Sequence, residues 1–270
     1  MDSIDCAYSI AGKGPPILLV HGVGGNRRIW GGVIERLSSA FTCISYDLRG
    51  HGDSPKSDHP FGLDDLVADL ERLRGRLGLE QAHLFGHSLG GMVAPAYARH
   101  YPNRVISVGL LSTVAGRSEE ERTRTRAVME AMTRDGVGPA LDILVRRWFT
   151  EAFMAAHPEI VESRKRQVRE IDPKVYLNAF GIYADTEMLP WLDRVTAPAL
   201  VLTGGEDVGC SPRHAEIMAR RLPKARVVIL EDLRHSILLE APDRVADAIA
   251  RFLREFQSKG GCSRPSARRD

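Results

Sequence analysis

"LFGHSLGG", Leu84 to Gly91, sets a histidine and a serine inside a run whose other six residues are apolar or glycine. Gly86-His87-Ser88-Leu89-Gly90 fits the pattern G-x-S-x-G. The pattern is weak alone and gains weight from its setting. "AHLFGH" (82–87) reads as a short buried strand, and "GGMVAPAYARHYP" (90–102) opens a helix with small residues. A strand that turns at once into a helix forces its middle residue into strained backbone angles. Side chains on either side would clash, so glycine flanks the serine. The Ser88 hydroxyl is then expected above the carboxyl end of a sheet, beside a helix N-terminus with unpaired N–H groups. The plainer alternative is a serine that caps a helix after a glycine-rich turn.

Working outward, short apolar runs alternate with amphipathic ones. "PPILLVHG" (15–22), "FTCISYD" (41–47), "RVISVGLLS" (104–112), "PALVLTG" (198–204) and "ARVVILED" (225–232) read as further strands covered on both faces. Between them, "LDDLVADLERLRGRLGL" (63–79), "PRHAEIMARRLP" (212–223, with Ser211 as N-cap and Pro212 in the first turn) and "APDRVADAIARFLREF" (241–256) read as helices. The alternation implies an α/β fold, a mainly parallel central sheet with helices on both faces. It breaks once. Residues 116–190 hold charge-dense helical sequence and no convincing strand. Inserted between two strands, they are expected to form a helical lid over one end of the sheet. The core is then 1–115 with 191–257, and 258–270 is expected to be a disordered tail.

A serine needs a base to take its proton, and the base needs an orienting carboxylate. Reactive groups in a doubly wound sheet collect at strand carboxyl ends. His235, in "LRHSILLE" after the last strand, meets that condition. His87 is read as structural packing and His21 as a structural hydrogen-bonder. His214 and His100 fall on helices, and His51 and His59 on a surface loop. Asp207, in "TGGEDVGCSP", is the expected acid, with its neighbour Glu206 as the alternative. The chain order Ser88, Asp207, His235 is that of α/β-hydrolases. The expected oxyanion donors are the N–H groups of Leu89 and of Val23 in "HGVGG" (21–25).

Composition narrows the classes. At 43% hydrophobic and 27% charged, the 270-residue chain is that of an ordinary globular protein. Its net charge of +2 lies mostly in the tail, so a basic body for nucleic acid is absent. Cys6, Cys43, Cys210 and Cys262 form no C-x-x-C pair, which argues against a disulfide framework or zinc site and for a reducing cytoplasm. The acidic start "MDSIDCAYSI" does not read as a signal peptide, and no apolar run reaches the ~20 residues of a membrane span.

"HGVGG", "YDLRGHGDS" (46–54), "GHSLGG", "TGGEDVGCSP" and "LRHSILLEAPDRV", in that order, resemble the α/β-hydrolase fold superfamily from about residue 8 to 256. Ser88 places the resemblance in the serine-nucleophile branch. A finer resemblance, through "RRWFTEAFMAAHPEIVESR" (146–164) and "YLNAFGIYADTEMLPWLDRVTAPALVLTGGED", is to 3-oxoadipate enol-lactonases. It implies that Trp148 lines the pocket and that Arg147, or Arg146 beside it, meets a substrate carboxylate by bidentate pairing. The expected activity is hydrolysis of a small ester or enol-lactone through an acyl-enzyme, in aromatic-compound breakdown, with no metal or organic cofactor. Two alternatives stand beside it: a hydrolase of a carbon–carbon bond in a ring-fission diketone, and a non-catalytic ligand receptor on the same scaffold. The expected partner is a small molecule that can carry a carboxylate. Whether the chain is a homodimer is left open.

Overall fold

The computed structural model describes residues 3–260, with side chains to Glu255. In chain order the elements are β1 (Tyr8–Ala11), β2 (Pro16–Val20), α1 (Gly31–Leu37), β3 (Thr42–Tyr46), α2 (Leu63–Arg76), β4 (Ala82–His87), α3 (Gly90–His100) and β5 (Val105–Leu111). Then come α4 (Glu119–Asp135), α5 (Val137–Trp148), α6 (Glu151–Ala156), α7 (Pro158–Glu170) and α8 (Pro173–Asp185). The chain returns through β6 (Ala199–Gly204), α9 (Pro212–Arg221), β7 (Ala225–Leu230), α10 (Ile237–Glu240) and α11 (Pro242–Gly260). Helix α11 thus runs into the stretch expected to be a tail, and the rest of that tail, 261–270, lies outside the described residues.

The strands form one sheet in the order β1-β3-β2-β4-β5-β6-β7. All neighbours are parallel except β1 against β3, where Tyr8 opposes Tyr46. Alternate residues of a strand face opposite sides, and β2 shows the consequence. Leu18 and Val20 join a core with α2 and α3, while Ile17 and Leu19 join another with α1 and α11. Two apolar faces explain why these strands read as unbroken apolar runs. β7 departs from that reading. It pairs only with β6, and Arg226 and Val227 are exposed, because a sheet edge has one neighbour rather than two.

Helices α4–α8 fall between β5 and β6 and carry a small core of their own, Met132, Leu141, Leu144, Val168, Tyr176, Phe180 and Ala184. The first of them is closed by a capping box: Ser118 accepts from Glu121 N–H at 3.2 Å and Glu121 accepts from Ser118 N–H at 2.6 Å. Specific bonds dock the group on the sheet. Ser236 N–H donates to Trp148 O at 2.8 Å, Thr150 Oγ1 to Glu240 at 2.6 Å, and Asn178 Nδ2 to Phe61 O at 2.6 Å. Among the described residues, no helix is long and apolar enough to cross a membrane.

Candidate active site

β4 ends at His87 and α3 starts at Gly90, so Ser88 and Leu89 make the whole turn. Ser88 has φ of +56°, in the left-handed region. For a residue with a Cβ that costs about 1–3 kcal/mol and persists only where the surroundings fix it. They do so here. Ser88 N–H bonds Leu111 O at 2.8 Å, tying the turn to the end of β5. A Cβ at Gly86 would overlap the Gly90 carbonyl, and one at Gly90 would overlap that of Val20. A Cβ at Gly22 would lie 2.7 Å from Ser88 Cβ.

His235 stands in the loop between β7 and α10, and Asp207 in the loop after β6. His235 Nδ1 lies 2.8 Å from Asp207 Oδ2. The other Asp207 oxygen accepts from Gly209 N–H at 3.0 Å and Cys210 N–H at 2.9 Å. That bonding assigns the proton to Nδ1 and leaves the Nε2 lone pair free. Glu206 is elsewhere: it is exposed, 3.4 Å from Arg234 Nε. Burial disfavours charge on both partners, but their mutual attraction outweighs it. The imidazole is held above its ordinary value and the carboxyl below its own.

Ser88 and His235 line one cavity of about 220 Å³. No hydrogen bond joins their side chains among the described residues. Catalytic hydrogen bonds are often long before substrate arrives, and the serine hydroxyl can swing about χ1. Cys210 sits beside the pair. The ligand atoms of Asp207, Cys210 and His235 lie within 4.8 Å of one another, a donor set of metal-binding type. Two of the three already bond each other.

The amides of Val23 and Leu89 donate to no other group among the described residues. Two buried histidines fix the Val23 loop. His21 Nδ1 donates to Gly22 O at 2.8 Å and its Nε2 accepts from Leu48 N–H at 2.9 Å. His51 Nδ1 donates to Arg49 O at 3.0 Å and its Nε2 accepts from Gly24 N–H at 3.2 Å. Burial pushes His51 down to about 4 and His21 well below the ordinary imidazole range, so both stay neutral with set tautomers. His51 therefore does not lie on a surface loop, as its polar neighbours suggest; it is fully buried. His59 and His100 are exposed. His214 is buried on α9, 3.0 Å from Ser211 Oγ. His87 Nε2 donates to His235 O at 2.9 Å, which fixes the loop carrying His235.

From the helical insertion, Trp148 is half-buried and lines the cavity. Arg147 reaches the cavity but stays solvent-exposed, where a charge is well screened. Arg146 is exposed and does not line it; its carbonyl accepts from Arg234 Nη1 at 2.8 Å. Beside the exposed Arg124, two arginines that the sequence reading did not name line the same cavity. Arg164, on α7, stacks 5.1 Å over the Trp148 ring and donates from Nη2 to Val23 O at 3.0 Å and from Nη1 to Gly24 O. Arg117 follows β5 and is buried. Each is one arginine in a charge-dense segment, and no spacing or motif singles either out.

Residues 15–242 match the family model described as alpha/beta hydrolase fold. The 3-oxoadipate enol-lactonase 2 of Acinetobacter baylyi is 26% identical over 242 residues, covering 90% of each chain. The (E)-2-((N-methylformamido)methylene)succinate hydrolase of the same organism is 27% identical over 250 residues, 91% of this chain and 93% of its own. Among solved structures, a malate-bound thermophilic esterase from Thermogutta terrifontis superposes with a TM-score of 0.85 at 32% identity, covering 94% of both chains. The enol-lactonase from Burkholderia xenovorans does so with a TM-score of 0.85 at 25% identity, over 92% of this chain and 96% of its own. Since the match runs from Pro15, before β2, to Pro242, at the start of α11, it takes in every parallel strand and the turn at Ser88, and the chain belongs to the alpha/beta hydrolase fold family.

Proposed function

We propose that this chain is a serine hydrolase that opens a small ester or enol-lactone bearing a carboxylate. The observation that carries the reading is the meeting of three chain segments: Ser88 in a forced left-handed turn, His235 in the same cavity, and Asp207 bonded to the far side of that imidazole. His235 Nε2 takes the Ser88 proton as Oγ adds to the acyl carbon. The Val23 and Leu89 N–H groups hold the oxyanion, each worth about 3 kcal/mol in such sites. The imidazolium returns the proton to the leaving oxygen, which in a lactone stays tethered to the acyl group. Water, activated by the same imidazole, then releases the acid. The small cavity favours a small acyl group. The names of two relatives, a 3-oxoadipate enol-lactonase and a succinate hydrolase, and the malate bound to the Thermogutta esterase, support an acidic substrate.

The test is steady-state turnover of a panel holding a methyl ester, an enol-lactone and a ring-fission diketone. The expectation is hydrolysis of the ester or lactone, lost by ~10⁴-fold or more in Ser88→Ala. Turnover of the diketone alone would replace the ester reading with carbon–carbon cleavage. Ester hydrolysis that survives Ser88→Ala would end the nucleophile assignment.

A further inference from the structure

Arg117 is 6% exposed and lines the cavity that holds Ser88. Its Nη1 donates to Ala184 O at 3.2 Å, and its guanidinium carbon stands 4.5 Å over the Tyr183 ring. Its Nη2 is buried with no hydrogen-bond partner among the described residues. A buried cation that lacks both a carboxylate and a partner for one nitrogen is costly to keep. The cavity's own acids do not relieve it. Asp207 is engaged by His235, and Glu121 by the Ser118 amide, Arg213 and His214. The other arginines on the cavity are less suited to read an anion. Arg124 is paired with Glu120 at 3.6 Å, Arg147 is exposed, and Arg164 is bonded to the Val23 and Gly24 carbonyls.

We infer that Arg117 anchors a carboxylate subsite, with its guanidinium donating to the remote carboxylate of the bound acid while the acyl carbon faces Ser88. The inference rests on the proposed hydrolase reading for its catalytic consequence, and on Arg117's own surroundings for the binding. It moves the substrate's charge from the exposed Arg147 to a buried donor at the junction of β5 and the helical insertion. There little water competes, so a carboxylate is favoured over a neutral group of equal size. A ligand without the charge leaves Nη2 unpaired.

Two measurements test it. In the first, hydrolysis of monomethyl glutarate and of methyl pentanoate is followed by acid release; the two esters match in carbon-chain length and differ in the terminal carboxylate. The wild-type protein is expected to favour the charged ester in kcat/KM by ~30-fold, a preference that Arg117→Gln removes and Arg117→Lys keeps in part. Equal rates on both esters in the wild type, or an unchanged ratio in Arg117→Gln, overturn the subsite. In the second, glutarate is titrated calorimetrically into the Ser88→Ala protein and the complex is crystallised. Binding with one carboxylate on the Arg117 guanidinium is expected. No binding, or a carboxylate seated elsewhere, overturns it even if Arg117→Gln does not fold. If neither ester is hydrolysed but glutarate binds at Arg117, the hydrolase reading has failed and the subsite stands.

Discussion

At φ of +56° the Ser88 backbone holds angles that a side chain with a Cβ rarely adopts, and three glycines make room for it. The strain is held by a rigid frame, so the Cα–Cβ bond of Ser88 is set before substrate arrives and only χ1 remains to be chosen. The proposed base is equally constrained. His235 cannot rotate without losing Asp207, and Asp207 cannot rotate without losing two amides. The same contacts set the charge state. A general base must be neutral, and Asp207 holds the imidazole's pKa above its ordinary value. The acidic limb of kcat/KM against pH is therefore expected above ~6.5, the free imidazole value. Asp207→Asn removes the attraction, so the limb moves to lower pH while kcat falls by ~10⁴-fold. A pH profile and kcat that match the wild type in Asp207→Asn would refute the pairing. Glu206→Gln is expected to leave both in place, because that side chain faces Arg234. In the sequence the two acids are adjacent and equivalent; only the loop's backbone, which turns one inward, separates them.

At the scale of elements, the site is built where β4 passes into α3, at the carboxyl ends of parallel strands, and roofed by the α4–α8 insertion. Arg164 joins the two parts, since it lies on α7 and its bonds end on the loop that carries Val23. Burial lowers its pKa without discharging it at neutral pH. Arg164→Met should free that loop and blunt the oxyanion donor, lowering kcat by ~10- to 100-fold with a smaller change in KM. A rise in KM with kcat unchanged would make Arg164 a substrate-binding group instead. The strands were legible because two covered faces leave an apolar run. β1 was not, since three of its four residues are exposed and its pairing comes from β3. α1 was not, because it is seven residues long and begins with two glycines. The insertion reads as helical, but its placement of Arg117 and Arg164 over the sheet depends on packing between distant segments.

For the whole molecule, residues 23, 88, 207 and 235 come together because β2 and β4 are neighbours while β6 and β7 lie on the same side of β4 as β5. Strand order fixes which loops share the crevice; the sequence reading expected a mainly parallel sheet and named no strand order. Ser88, Asp207 and His235 were expected to meet from their places after strands, and Arg147 to reach the cavity from the resemblance, whereas Arg117 and Arg164 were not singled out. A single chemical probe addresses the central claim, that Ser88 is a nucleophile activated by His235. A fluorophosphonate is added to the native protein, and the modified residue is located by peptide mass spectrometry. One adduct on the peptide carrying Ser88, absent in Ser88→Ala and formed far more slowly in His235→Ala, is the predicted result. A folded protein that hydrolyses esters yet takes no label, or takes it on another residue, would contradict the account.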